Sequence, residues 1–74
     1  MSKHETYAIS QINHHGTREQ LFEPFPKRET AIALAETLLY ADLYQPPFHI
    51  HRLLPGQSLA RSKIVERVAL PWKE

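Results

Sequence analysis

The sequence contains no cysteine. That absence removes disulfides, thiolate nucleophiles, iron–sulfur clusters and every cysteine-containing zinc site. Long apolar runs are missing too. The longest covers five residues, Ala31 to Ala35, whereas a membrane-spanning helix needs about 20. The opening residues, Met1-Ser2-Lys3-His4-Glu5, carry no apolar segment, so no signal peptide is expected. Glycine-rich phosphate loops, nucleophile elbows and two-carboxylate motifs are likewise absent. With 74 residues, the chain is expected to form one small domain, 1–74. A domain of this size buries only about 60% of the surface its unfolded chain exposes, which leaves no room for a second core or a deep cofactor cleft. Hydrophobic residues at 42% and charged residues at 23% are ordinary globular values, so the chain should fold. The expectation is a soluble, cytoplasmic protein with no cofactor.

The net charge of +1 is too small for a dedicated duplex-DNA binder, but its distribution is uneven. Residues 1–47 hold four Lys and Arg against six Asp and Glu, for −2; residues 48–74 hold five against two, for +3. His49 and His51 add to the basic half below about pH 6.5. This basic half is a candidate surface for an anionic partner.

Along the chain, Thr6 to Asn13 alternates in the manner of a strand, with Tyr7, Ile9 and Gln11 on one side and Ala8, Ser10 and Ile12 on the other. Gly16, among polar residues, marks a hairpin. Glu19 to Phe25 is a second strand, which Pro24 makes an edge or ends near that point. From Pro26 to Tyr44 the period changes to that of a helix. Ala31, Ile32, Leu34, Ala35, Leu38, Leu39, Ala41 and Leu43 fill one broad arc, and Glu29, Ala33, Glu36, Thr37, Tyr40 and Tyr44 the other. Asp42 falls inside the apolar arc, which implies fraying before the Gln45-Pro46-Pro47 stop. Phe48 to Leu54 is a third strand, with Phe48 and Ile50 facing the core and His49, His51 and Leu53 facing away. After the Pro55-Gly56 turn, the tail has two readings. As a strand from about Ser62, it puts Ile64, Val68 and Leu70 on one face with Glu66 the misfit; as a helix, it carries an apolar stripe with Arg61 the misfit. Pro71 ends either one, and Trp72 suits core closure. The fold class is α+β: a small antiparallel sheet with one helix packed on one face, ββαββ, or ββαβα if the tail is helical.

Three constellations bear on function. Tyr40 and Tyr44, spaced by one helical turn on the polar arc beside Glu36, form a candidate protein-binding surface, because tyrosine offers rigid contact area at low entropy cost. His49, His51, Arg52, Arg61, Lys63 and Arg67 form an alternative nucleic-acid-binding set. His49 and His51 share a strand face, an i, i+2 geometry that also occurs in metal sites, with His14 or His15 as a conceivable third ligand; no other ligand spacing accompanies them, and no metal is expected. Glu23, Asp42 and the histidines are the only acid–base candidates, without a paired constellation, so no catalytic residues and no enzymatic activity are expected.

The layout resembles small phage- and mobile-element-encoded inhibitors built as a hairpin, a helix and a second hairpin, some anti-CRISPR proteins among them. The matching stretches are Tyr7-Ala8-Ile9-Ser10-Gln11-Ile12, Arg28-Glu29-Thr30-Ala31-Ile32-Ala33-Leu34-Ala35 and Phe48-His49-Ile50-His51-Arg52. The resemblance implies a stoichiometric inhibitor of a larger nucleoprotein machine, without catalysis. The near-neutral charge departs from the acidic members that imitate DNA, which implies that such an inhibitor covers a surface. The function expected is therefore a non-enzymatic binding module for a larger protein or nucleoprotein complex, with weak nucleic-acid binding as the alternative and histidine-based metal binding behind it.

Overall fold

A computed structural model describes residues 4–41 and 43–70. The expectations attached to Asp42, Pro71 and Trp72 lie outside the described residues. The elements are β1 (Thr6–Ile12), β2 (Arg18–Phe25), α1 (Arg28–Leu38), β3 (Phe48–Leu53), a single 3₁₀ turn (Leu59–Arg61) and β4 (Lys63–Val68). The four strands form one antiparallel sheet in the order β2-β1-β3-β4. α1 packs on one face, giving the expected ββαββ arrangement. Among the described residues no helix is long and apolar enough to cross a membrane.

The β1–β2 hairpin closes through its turn chemistry. The Asn13 side-chain oxygen accepts hydrogen bonds from the backbone N–H of His15 and Thr17, both at 3.0 Å, and Gly16 takes φ 81°. An Asx turn followed by a left-handed glycine reverses the chain at little steric cost. β2 is an edge strand, where Pro24 costs no ladder bond. Its pairing with β1 jumps from Leu21, opposite Ile9, to Phe25, opposite Tyr7. The extra residues are accommodated by a bulge in which Phe22 adopts φ 65°, a conformation that costs a bulky residue energy.

Ile9, Leu21, Phe48, Ile50 and Val68 from the sheet meet Ala31, Ala35 and Leu38 from α1 in a single core. The small Ala31 and Ala35, both fully buried, let the helix backbone approach the sheet. Phe48 and Ile50 face this core as their alternation requires. Gln11, also on the helix side, stays buried because its polar atoms are occupied: its amide donates to Glu19 at 3.0 Å and its carbonyl accepts from the Gln45 N–H at 3.0 Å.

Two expectations are corrected. The helix ends at Leu38, not at Tyr44. Beyond it the backbone tightens into 3₁₀ bonds, Tyr40 N–H to Thr37 C=O and Ala41 N–H to Leu38 C=O, and the chain turns toward Pro46-Pro47, whose preceding residues disfavour helical backbone. Tyr40 and Tyr44 are consequently not one turn apart on a helix. In the tail, the strand reading is the one that forms, but Ile64 does not share the face of Val68. Ile50 pairs with Glu66 and His51 with Ile64, so Val65 is the extra residue of a bulge, and it reverses the alternation. Ile64 is exposed on the outer face. Glu66 lies at the helix side, where Arg28 Nη2 reaches its carboxylate at 2.9 Å and the Val65 carbonyl at 2.9 Å.

Candidate functional site

The outer face of the sheet carries a connected polar chain. Arg18 Nη1 donates to Ser10 Oγ at 2.9 Å, and Ser10 Oγ lies 2.7 Å from His51 Nε2. On the other side of the ring, His51 Nδ1 lies 2.9 Å from Ser62 Oγ, which itself donates to the Leu59 carbonyl. For a neutral ring, one assignment of hydrogens satisfies every partner. The Ser62 hydroxyl donates to Leu59, so it accepts from His51 Nδ1–H. His51 Nε2 is then the bare acceptor and takes the Ser10 hydroxyl hydrogen, while Ser10 accepts from Arg18. This assignment takes the ring as neutral. Burial first, then the positive charges of Arg18 and a protonated His49, lower the His51 pKa from 6.5 to about 4.

A serine hydroxyl donating to histidine is also the pairing used to activate nucleophiles. Here Ser10 is 0% exposed and His51 2%, so no substrate atom reaches the hydroxyl, and the chain of bonds serves to tie β1, β2, β3 and the 3₁₀ turn together. His51 is accordingly not a surface contact for nucleic acid. It also offers no ring nitrogen to a metal, because both are committed to serines. Among the described residues no group of three or more His, Cys, Asp or Glu could hold a metal ion. His14 and His15 meet at the hairpin turn, their ring centroids 4.0 Å apart and their planes tilted by 41°. His49 is half-buried opposite Arg67 and 3.3 Å from Arg18 Nη1, and burial, Arg18 and Arg67 lower its pKa.

The basic residues divide into two groups. Arg67 lies with His49 and Arg18 on the outer face. Arg52, Arg61 and Lys63 line one depression of about 200 Å³ together with Leu54 and Gln57. Arg52 forms an ion pair there with Glu5.

The aromatic surface is rearranged by the early helix end. Glu36 is exposed on α1, and Tyr40, 70% exposed, follows it in the 3₁₀ extension. Tyr44 instead packs against the core, its ring 5.9 Å from that of Phe22 at 56°. Leu43, between the tyrosines, is 85% exposed, and Phe22 itself is half exposed. The sequence reading missed Phe22 and Leu43 as surface residues. Leu43 falls in the apolar arc of a helix continued too far, and Phe22 sits in the β2 bulge at φ 65°, where strict alternation no longer says which way a side chain faces.

Compared with known proteins, the chain matches no family model, no curated protein and no solved structure.

Proposed function

We propose that this protein is a non-enzymatic binding module of the cell interior that acts by covering a surface on a larger protein or nucleoprotein complex, in the manner of the anti-CRISPR type of inhibitor. The observation that carries the reading is the exposure of Tyr40 and Leu43 in the segment that follows α1, next to the Phe22–Tyr44 ring pair. Large apolar side chains exposed close together along the chain suit a contact surface, whereas singly scattered ones need no explanation. Tyrosine and leucine here meet an apolar protein patch; Glu36 at the border suits a basic rim. Tyr44, packed on the core and against Phe22, anchors the end of the segment that carries Tyr40 and Leu43, and an anchored segment has a lower ordering cost on association.

The test is affinity capture with the tagged full chain from its native cells, with and without nuclease, in wild type and in a Tyr40→Ala, Leu43→Ala double variant. A protein partner that survives nuclease and is lost with the double variant supports the reading. A partner retained by that variant, or recovered only while nucleic acid is intact, overturns it.

A further inference from the structure

The depression lined by Arg52, Leu54, Gln57, Arg61 and Lys63 lies away from the aromatic surface and has its own electrostatic logic. Arg52 on β3 and Lys63 on β4 are direct cross-strand partners. Like charges placed directly opposite on neighbouring strands destabilise a sheet. Arg61 adds a third cation to the same hollow. Glu5 is paired with Arg52, which leaves, among the described residues, the charges of Arg61 and Lys63 unbalanced. Among the described residues, the side chains of Arg61 and Lys63 have no hydrogen-bonding or ionic partner.

The hollow is also held in shape. Gln57 spans it: its carbonyl accepts from the Leu54 N–H at 3.1 Å and its amide donates to the Arg61 carbonyl at 3.0 Å. Gly56, at φ 78°, permits the turn that brings Gln57 there. Ser62, between Arg61 and Lys63, is fastened to the buried His51 ring. The two unpaired cations therefore project from a backbone fixed on both sides. An adjoining hollow over Pro55, Gly56 and Ser58 shares Leu54, Gln57 and Arg61, which leaves space for a group attached to the anion.

We propose that this depression is a phosphate-binding site, with Arg61 and Lys63 as its charged ligands and Arg52 as a third cation beside them. Arginine presents a planar fork of donors that matches phosphate oxygens, and lysine adds a compact charge. The site narrows the nucleic-acid alternative read from the sequence to one place, since His51 is buried and Arg67 lies with His49 on the outer face. The phosphate belongs either to a small phosphorylated molecule or to the backbone of a single-stranded nucleic acid.

The experiment follows amide chemical shifts of the full chain during titration with inorganic phosphate and, separately, with a short thymidine oligonucleotide. The proteins are wild type, Arg61→Gln/Lys63→Gln, and a Lys27→Gln control. Saturable shifts centred on Leu54 to Lys63, with affinity reduced about ten-fold or more in the first variant and unchanged in the control, support the proposal. Comparable affinity for both probes assigns the site to small phosphates. Tighter oligonucleotide binding that weakens steeply with salt assigns it to nucleic acid. No saturable binding of either probe, or equal loss in both variants, overturns it. A second readout is independent of ligand choice: Lys63→Gln should raise the denaturation midpoint in phosphate-free buffer by removing the like-charge pair, and should lose the stabilisation that phosphate gives wild type. A lower midpoint without phosphate contradicts the electrostatic premise.

Discussion

Ser10 and His51, 41 residues apart in the chain, are joined by a 2.7 Å hydrogen bond between the two central strands. With the imidazole neutral, the ring nitrogen facing Ser10 accepts the hydroxyl hydrogen. Its consequence is a stability that depends on pH. Above about pH 6.5, the ordinary histidine value, His51 is neutral in both the folded and unfolded chain. Below that, the unfolded chain takes up a proton that the folded protein, with its pKa lowered to about 4, does not. Stability therefore falls as pH drops from 6.5 toward 4 and the His51 contribution levels off below that. Denaturation curves across this range should show the fall in wild type and a shallower one in His51→Gln, where His49, lowered in the same direction, still contributes. An identical pH slope in the two proteins would remove His51 from this role.

The same relay sets the cost of losing a serine. Ser10→Ala leaves the Nε2 acceptor of a buried ring without its donor, which should destabilise by about 1–3 kcal/mol at neutral pH. Ser62→Ala should act in the same direction, since it strips the partner from Nδ1–H. Urea denaturation of both variants provides the check, and a loss below about 0.5 kcal/mol in both would indicate that water replaces the hydroxyls.

Leu38, 7% exposed at the last turn of α1, closes the core between helix and sheet. Leu38→Ala should cost about 2–5 kcal/mol, a large share of the stability available to so small a domain. Leu34, only half-buried at the margin of the core, should cost less. Chemical denaturation that ranks Leu34→Ala as the more damaging change would refute the helix phase described above.

Tyr40 and Tyr44 should separate binding from folding. Tyr40→Ala removes a ring that is 70% exposed, so stability should change by less than about 0.5 kcal/mol while affinity for a captured partner falls by about 2 kcal/mol, near thirty-fold. Tyr44→Ala should reduce stability instead, because its ring packs on Phe22 and the core. Thermal melts beside a binding titration distinguish the two, and the reverse assignment would invalidate the proposed surface.

Two backbone positions can be tested together. Gly16, at φ 81°, has open space where a Cβ would sit, so Gly16→Ala carries a purely conformational cost of about 1–2 kcal/mol. Phe22, at φ 65°, already bears such a cost. Phe22→Asn should therefore be more stable than Phe22→Val by about 1 kcal/mol, since asparagine tolerates the left-handed region and a β-branched residue does not. Midpoints from parallel denaturation series decide both comparisons.

What the sequence determined alone is what depends on neighbours in the chain. The alternation in Phe48 to Leu53 sent Phe48 and Ile50 inward and His49 and His51 outward, Gly16 marked the hairpin, and Pro24 marked an edge, because side-chain period and allowed backbone angles are local properties. The tertiary structure decided the rest. The order β2-β1-β3-β4 brings Ser10 to His51 and His51 to Ser62, and no spacing in the chain announces that meeting. α1 ends at Leu38, where the backbone tightens into 3₁₀ bonds and the chain turns toward β3, so the tyrosine pair that a longer helix implied came apart. The bulge at Val65 turned Ile64 outward and placed Glu66 within reach of Arg28. The opposition of Arg52 and Lys63 is likewise a matter of register. Register is fixed by the pairing of whole strands, an energy summed over contacts distant in sequence, which local pattern does not contain.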